Sequence, residues 1–292
     1  MNVKAKRFLS EKQAQELIGR KANQNDYNQL ITEKCIVEHN GEILFSYTPN
    51  AIPDNLIKTA YKSIKSAAGL TFNRGVATFK GSMKKNRKKD GTMSKTAKTR
   101  VNIKSGIIGY FDRYPRMPYC RTCAWTEHNP DKWKDVLPLI HKINNEFKEN
   151  CPEIYKKQKR VADQSSKDFV INGTAFSTAT VNLNWQSAFH RDARNYDGGM
   201  CGMGVIGAGK YDGGYLCFPE YKIAVNVRGT DVIVMNNTHL VHGNTNFKGN
   251  YGEYERISIV CYFREGIRKC KSRAEELQRA KQHGAKINEE LH

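Results

Sequence analysis

Two histidines and an aspartate have the residue types and the spacing of an iron site. His190 and Asp192 are two residues apart, so on a β-strand both side chains share one face and can reach one metal ion. His242 follows about fifty residues later in the sequence. Two histidines and a carboxylate form the facial triad that holds non-haem Fe(II) and leaves the opposite face of the ion open. We therefore predict that these three residues bind iron and form the catalytic centre.

His239 lies close to His242 and is the other histidine in this segment. The two residues are three apart on an extended run, so their side chains should point to opposite faces. Only one of them can then face the metal, and we expect His239 not to be a ligand.

The last predicted strand carries residues that suit a carboxylate-bearing co-substrate. Arg256 and Ser258 share a strand face with Val260 and Tyr262. An unpaired cation on the inner face of a β-sandwich is costly, whereas an arginine can pair with a carboxylate through two charge-assisted hydrogen bonds. The pattern predicts that Arg256, with Ser258, binds 2-oxoglutarate. An ordinary amphipathic strand with an exposed arginine is the alternative.

The chain carries a strong excess of positive charge, which favours a polyanionic partner. Its formal net charge is +19 at pH 7 and its pI is near 9.5. The segment from about Lys84 to Lys104 is rich in basic residues and holds a single acid, Asp90. The residues that we expect to contact phosphates of such a partner in this basic loop are Lys84, Lys85, Arg87, Lys88 and Lys89. A loop that is merely solvated remains the alternative.

Neither membrane insertion nor secretion is indicated by the sequence. It contains no run of eighteen apolar residues and no hydrophobic region of a signal peptide. The eight cysteines show no regular framework, so we expect reduced thiols in an intracellular protein, cytoplasmic or nuclear. Cys120 and Cys123 are expected to be two packed thiols, because no second cysteine pair stands at zinc-site spacing.

The periodicity of apolar residues predicts helices in the N-terminal half and strands after about residue 169. Helices should begin after Ser10, at Pro53-Asp54, near Asp135 and after Pro152, and a basic C-terminal helix should run from Ser272 to Gly284. Many short strands with glycine turns indicate a barrel or jelly roll. We predict an α+β fold with a double-stranded β-helix (jelly-roll, cupin-like) core flanked by N-terminal helices. The predicted regions are an N-terminal helical region with the basic loop (1–109), a catalytic core with its flanking helices (110–266) and a basic C-terminal helix (267–292).

Several motifs together resemble the TET/JBP dioxygenases, which oxidise the 5-methyl group of 5-methylcytosine or thymine in DNA. The resemblance covers about residues 110 to 264 and implies the same jelly-roll fold. The motifs are His190-Arg191-Asp192-x-x-Asn195, Gly213-Gly214-Tyr215-Leu216-Cys217-Phe218-Pro219-Glu220-Tyr221, His242-Gly243-Asn244-Thr245, Arg256-Ile257-Ser258-Ile259-Val260-Cys261-Tyr262, Tyr119-Cys120-Arg121-Thr122 and the segment Phe147 to Tyr155.

The resemblance implies a role for each matched residue. His190, Asp192 and His242 would bind Fe(II), and Arg256 with Ser258 would bind the distal carboxylate of 2-oxoglutarate. Arg121 resembles the arginine that holds the other end of the co-substrate. Asn195 matches the position that hydrogen-bonds a flipped base, and Tyr262 matches the aromatic residue that stacks on it. Arg264 stands where cytosine-directed members carry a histidine, so it is the expected third base contact and leaves the identity of the base open.

The implied function is oxidation of 5-methylcytosine in double-stranded DNA to 5-hydroxymethylcytosine, with further oxidation to 5-formyl- and 5-carboxylcytosine left open. Fe(II), 2-oxoglutarate and O2 would be required, with ascorbate as an optional reductant. We expect a monomer without a membrane partner, in a compact form without the cysteine-rich module of animal relatives, and a viral or phage source is compatible with it. The alternatives are a thymine hydroxylase that makes 5-hydroxymethyluracil, a hydroxylase of the same fold with a non-DNA substrate, and a non-catalytic DNA-binding module.

Overall fold

The computed structural model describes residues 1–71, 74–78, 103–249 and 252–290. The α-helices of these residues are α1 (Glu11–Leu17), α2 (Asp54–Ala67), α3 (Ala124–His128), α4 (Pro130–Asn150), α5 (Pro152–Gln164) and α6 (Arg273–Glu290). The strands are β1 (Asn2–Lys4), β2 (Gln29–Ile31), β3 (Cys35–His39), β4 (Glu42–Thr48), β5 (Leu70–Thr71), β6 (Ile103–Phe111), β7 (Arg121–Thr122), β8 (Thr178–Leu183), β9 (Cys201–Gly209), β10 (Asp212–Gly213), β11 (Leu216–Phe218), β12 (Ile223–Val225), β13 (Val232–Met235), β14 (Gly243–Asn244), β15 (Phe247–Lys248) and β16 (Tyr254–Tyr262).

Two facing sheets form the double-stranded β-helix. The strand order of the major sheet is β1-β3-β4-β13-β9-β16-β8-β6-β5, and β7 pairs with β6. The minor sheet has the order β14-β11-β12-β2. The central strands β13, β9, β16, β8 and β6 are antiparallel to their neighbours, so alternate side chains of each strand face either the minor sheet or the other side. This arrangement confirms the predicted α+β fold with a jelly-roll core.

The strand β16 shows how alternation divides the core into layers. Ile257 and Ile259 are fully buried against α2 and α4, which cover the outer face of the major sheet. Burial of each such side chain stabilises the fold by about 1.5–3 kcal/mol. Arg256 and Ser258, which alternate with these isoleucines along β16, face the minor sheet. The helix α4 packs very close to the sheet, because a Cβ atom at Gly202 of β9 would lie 2.5 Å from the Ile143 side chain.

The predicted N-terminal helical region contains strands as well as helices. β4 pairs with β13 and β3 pairs with β4, so both extend the major sheet, whereas β2 pairs with β12 of the minor sheet. Phe45 of β4 stacks on Phe218 of β11 across the two sheets, with 4.7 Å between ring centroids. The region is therefore part of the jelly roll and does not merely flank it. The predicted boundary at residue 109 falls inside β6.

The predicted helices are present, but α4 begins earlier than the predicted start near Asp135, and the C-terminal helix ends later than predicted. Ser10 caps α1 with a capping box, α2 begins at Asp54, and α4 and α5 begin at Pro130 and Pro152. The predicted stop at Gly284 is wrong, because α6 continues to Glu290. A glycine inside a helix costs only about 1 kcal/mol relative to alanine, which does not force an end. Among the described residues, no helix is both long enough and apolar enough to cross a membrane.

The cysteines differ from the prediction that all eight are reduced thiols. Cys120 and Cys270 form a disulfide between the segment before β7 and the start of the C-terminal region. The two residues are 150 positions apart, so no local spacing in the sequence indicates the pair. Cys123 is a buried free thiol whose pKa is raised to about 12 by burial, as expected for a packed side chain.

Candidate active site

The predicted iron ligands lie together at one end of the sheet sandwich. The ligand atoms of His190, Asp192 and His242 all lie within 4.8 Å of one another. His190 and His242 come from segments that pair through two reciprocal backbone hydrogen bonds of 3.0 Å. Close approach of the segments depends on Gly243, because a Cβ there would lie 2.9 Å from the backbone nitrogen of Phe189. The fold therefore brings the two distant parts of the triad to one point.

The histidine rings are held so that the same nitrogen of each is directed to the cluster. Nδ1 of His190 lies 2.8 Å from the carbonyl oxygen of Ala188, and Nδ1 of His242 lies 2.9 Å from that of Leu240. Each Nδ1 donates its proton to that carbonyl, which leaves Nε2 as the ligand atom. Nε2 of His190 is 3.4 Å from Oδ1 of Asp192.

His242 and Asp192 are in the forms that a divalent cation requires, whereas His190 must give up a proton to bind one: burial would lower its pKa, but the hydrogen bond and charge of Asp192 outweigh burial and raise it. Burial, together with the charge of His190, lowers the pKa of His242 to about 4, so this ring is neutral. Burial would raise the pKa of Asp192, but the hydrogen bond and charge of His190 outweigh burial and lower it. A neutral imidazole and an ionised carboxylate are the forms that bind metal.

Two residues without an assigned role in the sequence analysis hold the ligand segments in place. Glu220 is 2% exposed; its Oε2 accepts a hydrogen bond of 2.8 Å from the backbone nitrogen of Val241, and its Oε1 lies 3.2 Å from Nη2 of Arg191. Asn237 is 1% exposed and donates from Nδ2 to Oδ2 of Asp192 at 2.5 Å. Their roles depend on contacts between distant segments, so residue type and spacing alone do not reveal them.

A cavity of about 360 Å³ opens beside the triad, and Arg256 and Ser258 line it as predicted. Arg256 is 4% exposed, its Nε and Nη2 atoms are buried without a hydrogen-bond partner, and burial lowers its pKa. The guanidinium lies over the Phe247 ring, 5.6 Å from the centroid. An arginine buried in this way has strong donors available for an anion.

The three predicted base contacts line the same cavity. Asn195 and Arg264 pair as an isolated β-bridge, so their side chains start from neighbouring backbone positions. The ring of Tyr262 is buried, and its hydroxyl lies 3.1 Å from Oγ1 of Thr180. Burial lowers the pKa of Arg264, but Tyr262 and Asp112 outweigh burial, so this guanidinium stays charged.

A further arginine of the cavity, Arg74, was not anticipated from the sequence. Its Nη2 donates to Oγ of Ser105, whereas its Nε is buried without a partner. Oγ of Ser105 then donates to Oδ1 of Asn182 at 2.6 Å, and Nδ2 of Asn182 donates to Oγ of Ser258 at 3.3 Å. A polar chain thus runs across β6, β8 and β16 along the cavity wall.

Not all of the predicted site residues come together. Arg121 does not line the cavity; its guanidinium stacks on Phe111, 4.8 Å from the ring centroid, because β7 pairs with the end of β6. This position does not support the predicted contact with 2-oxoglutarate. His239 is 56% exposed at its side chain and lies 2.8 Å from Asp197, away from the triad, as expected. Lys84, Lys85, Arg87, Lys88 and Lys89 lie outside the described residues.

The family follows from a match over the catalytic core. Residues 106–265 match the TET/JBP model, described as the oxygenase domain of the 2OGFeDO superfamily. This span is more than half of the chain. The chain belongs to the TET/JBP family. The matched span contains the triad, Arg256 and the three predicted base contacts.

The curated relatives that this chain matches are longer proteins. The bifunctional helicase and thymine dioxygenase JBP2 of Trypanosoma brucei brucei is 35% identical over 170 residues, which are 57% of this chain and 15% of that protein. Thymine dioxygenase JBP1-B of Trypanosoma cruzi is 34% identical over 190 residues, 62% of this chain and 22% of that protein. The chain thus spans less than a quarter of these relatives.

Among solved structures, NgTET1 in complex with 5mC DNA has a similar fold. Its TM-score is 0.58 at 14% identity, and the alignment covers 94% of this chain and 100% of that chain. The likeness extends over the N-terminal region as well as the matched core, in agreement with the strands that this region adds to both sheets.

Proposed function

We propose that this chain is an Fe(II)- and 2-oxoglutarate-dependent DNA dioxygenase that oxidises the 5-methyl group of 5-methylcytosine to 5-hydroxymethylcytosine. One observation carries the proposal: the clustered triad and the buried, unpartnered donors of Arg256 lie in a single cavity. A metal site and an anion site in one cavity suit a co-substrate that must reach both. Family membership supports the same chemistry.

Nε2 of His190, Nε2 of His242 and Oδ1 of Asp192 are suited to hold the metal, because the three residues converge and a backbone carbonyl accepts from Nδ1 of each histidine. Fe(II) in this site supplies oxidising power with O2 and 2-oxoglutarate: the co-substrate loses CO2 and becomes succinate with one oxygen atom of O2, and the methyl group gains the other as hydroxyl. The protein contributes the fixed ligand geometry and a shielded cavity.

Arg256 and Ser258 would hold the distal carboxylate of 2-oxoglutarate. Nε and Nη2 of Arg256 form one edge of the guanidinium, and this edge can bind both oxygens of a carboxylate. Oγ of Ser258 accepts from Asn182, so its own proton remains available for the same carboxylate. Both residues extend from one face of β16, which fixes their separation.

The target methyl group must enter the cavity on a base that leaves the duplex. Inside a duplex the base stays in its stack, and extrusion costs a few kcal/mol. Tyr262 offers a buried ring for stacking, and Asn195 and Arg264 offer hydrogen-bonding groups for the edge of the base. The net charge of +19 and the basic loop at 84–104 favour contact with the DNA backbone.

Thymine is the second candidate substrate, with 5-hydroxymethyluracil as the product. The matched relatives JBP2 and JBP1-B are named as thymine dioxygenases, and this observation favours it. Arg264 only donates hydrogen bonds, so it can serve an oxygen of either base or N3 of cytosine. We favour 5-methylcytosine on the motif His190-Arg191-Asp192-x-x-Asn195, which resembles cytosine-directed members.

The test is to treat duplex DNA that contains both bases and to quantify the nucleosides by mass spectrometry. Formation of 5-hydroxymethylcytosine that depends on Fe(II) and 2-oxoglutarate, and that is lost in Asp192→Ala, would support the proposal. Formation of 5-hydroxymethyluracil alone would assign the chain to thymine. Succinate formation with another substrate class and no oxidised base would reject the DNA assignment.

A further inference from the structure

Asn237 lies between the metal ligand Asp192 and the predicted base contact Asn195. Its backbone is anchored on both sides, since its nitrogen donates to the carbonyl of Met235 at 3.0 Å and its carbonyl accepts from the nitrogen of Asp192 at 2.9 Å. Its side chain is also fixed, since it bonds to both neighbours and is buried. The residue lies just beyond the end of β13 and is therefore held by the major sheet.

The hydrogen bonds of the Asn237 side chain have one possible direction. An ionised carboxylate only accepts hydrogen bonds, so the amino end of the Asn237 amide must point to Oδ2 of Asp192. The Oδ1 atom of Asn237 then faces Asn195 and accepts from its Nδ2 at 3.4 Å. The amino end of Asn195 is thereby directed to Asn237. No residue in the described part of the chain donates to Oδ1 of Asn195.

This direction decides what Asn195 can offer to a base. Its oxygen, an acceptor, is the end left for a ligand in the cavity, which Asn195 lines. When C5 of a pyrimidine carries its methyl group toward the metal, the ring atoms C4 and C6 flank that methyl group, and only C4 carries a polar substituent that an amide oxygen can recognise. In 5-methylcytosine that substituent is an amino group, which donates, whereas in thymine it is an oxygen, which accepts.

We propose that Asn237 is a positioning residue for base choice: it orients the Asn195 amide so that its oxygen accepts from the 4-amino group of 5-methylcytosine and opposes O4 of thymine. The Asn237 side chain also donates a hydrogen bond to Oδ2 of Asp192. The other oxygen, Oδ1, lies beside His190 and remains available for the metal. The inference rests on the proposed function, since it assumes a pyrimidine in this cavity.

The experiment compares Asn237→Ala with Asn236→Ala in the full chain. Asn236 is the adjacent residue, and its Oδ1 accepts from the backbone nitrogen of His239, so it is a matched control that does not contact Asp192. Each variant is given DNA that contains both bases, and the rate of 5-methylcytosine oxidation is divided by that of thymine. Co(II) is used in place of Fe(II) to measure metal affinity separately, from the absorption of the bound ion and in the absence of turnover.

We expect Asn237→Ala to lower the ratio about tenfold, the effect of one missing hydrogen-bond preference. Co(II) affinity should fall by about 10- to 100-fold, as for other residues that hold a metal ligand. Asn195→Ala should lower the ratio to a similar extent and leave Co(II) affinity unchanged. In Asn195→Ala/Asn237→Ala the ratio should fall no further than in Asn195→Ala, because Asn237 acts through Asn195.

The outcomes separate this inference from the proposed function. A wild-type protein that oxidises neither base rejects the proposed function, whatever the variants do. A wild-type protein that prefers 5-methylcytosine, with an unchanged ratio in Asn237→Ala, overturns the inference and leaves the function standing. A preference for thymine in the wild-type protein also overturns it. If Asn237→Ala does not fold, Asn237→Ser replaces it, because a serine hydroxyl can donate to Asp192 and accept from Asn195. Asn237→Ser should lower the ratio less than Asn195→Ala does. A loss as large as that of Asn195→Ala contradicts the inference.

Discussion

Nε of Arg264 donates to Oδ1 of Asp112 at 2.6 Å, and both side chains are largely buried beside the substrate cavity. The backbone nitrogen of Arg264 is also held, by Oγ of Ser177 at 3.0 Å. Asp112 follows directly on β6, so a strand at the far side of the major sheet fixes a predicted base contact. Arg264 lines the cavity, and its guanidinium lies over the Phe111 ring, 5.4 Å from the centroid.

The first prediction is that Asp112→Asn weakens the recognition of DNA. Loss of the charge frees the Arg264 side chain, so we expect KM for methylated DNA to rise about tenfold, the effect of about 1.4 kcal/mol. Succinate formation without DNA should change little, because Asp112 does not contact the triad. Glu265→Gln, which removes an exposed ion pair with Arg268, is the control. An equal loss in the assays with and without DNA would contradict the prediction.

The second prediction concerns the metal ligands. His190→Ala, Asp192→Ala and His242→Ala should each abolish turnover and severely weaken Co(II) binding, because each removes one of three converging ligands. His239→Ala should retain both properties, since His239 is exposed and pairs with Asp197. Metal-edge anomalous scattering that places the ion on His239 would show the assignment to be wrong.

The third prediction separates the two arginines proposed for 2-oxoglutarate. Arg256→Ala should raise KM for 2-oxoglutarate by about 10²- to 4 × 10³-fold, because loss of one partner of a buried ion pair costs about 3–5 kcal/mol. Arg121→Ala should change this KM little, because Arg121 stacks on Phe111 outside the cavity lining. Succinate assays over a range of 2-oxoglutarate concentrations measure both. An unchanged KM in Arg256→Ala would reject its role.

The fourth prediction is that the ring of Tyr262, and not its hydroxyl, matters for the substrate. Tyr262→Ala should reduce kcat/KM for DNA by the equivalent of about 1–3 kcal/mol, the contribution of one base stacked on an aromatic residue. Tyr262→Phe keeps the ring and removes only the hydroxyl, which contacts Thr180 and interacts with Arg264, so it should stay closer to wild type than Tyr262→Ala. Uncoupled 2-oxoglutarate turnover should be similar in all three proteins; a parallel loss in Tyr262→Ala would show a defect in the fold instead.

The fifth prediction tests the basic loop. Replacing Lys84, Lys85, Lys88 and Lys89 with glutamine should flatten the slope of log K against log salt by about 0.9 for each DNA phosphate that is no longer neutralised. Sequence preference should be unaffected, since phosphate contacts carry no base information. Fluorescence anisotropy of labelled duplex DNA at several salt concentrations gives the slope. If the slope stays the same, the loop is solvated surface.

The sequence was sufficient for the parts of the site that depend on local spacing. Arg256 and Ser258 share a face of β16, because alternation in a strand is a local property. The spacing of His190 and Asp192 also predicted their proximity, although the two residues lie between β8 and β9, where His190 makes an isolated β-bridge with His242 and no regular strand forms. The ring of Tyr262 follows from the same alternation. These residues line one cavity in the structure.

Residues that act through long-range contacts could not be predicted in this way. The residue types of Asn237 and Glu220 and their neighbours in the sequence do not indicate a role. Their contacts with Asp192 and Val241 arise only when the fold brings distant segments together. Arg74 lines the cavity and contacts Ser105 of β6, a residue distant in the sequence, so the residues next to Arg74 in the sequence do not indicate its position. Arg121 illustrates the converse: local similarity suggested a place beside the co-substrate, whereas the pairing of β7 with β6 directs the side chain to Phe111, and its role stays a prediction.

The strands contributed by the first fifty residues have a consequence for any attempt to isolate the catalytic core. The match to the family model begins at residue 106, whereas β4 and β2 lie upstream of it and pair with β13 and β12. A protein cut at that point would expose two rows of unsatisfied backbone groups, which are ready templates for pairing with other chains. The upstream strands therefore cover sheet edges that would otherwise pair with other chains. The span that matches the family model is thus shorter than the part of the chain that forms the two sheets.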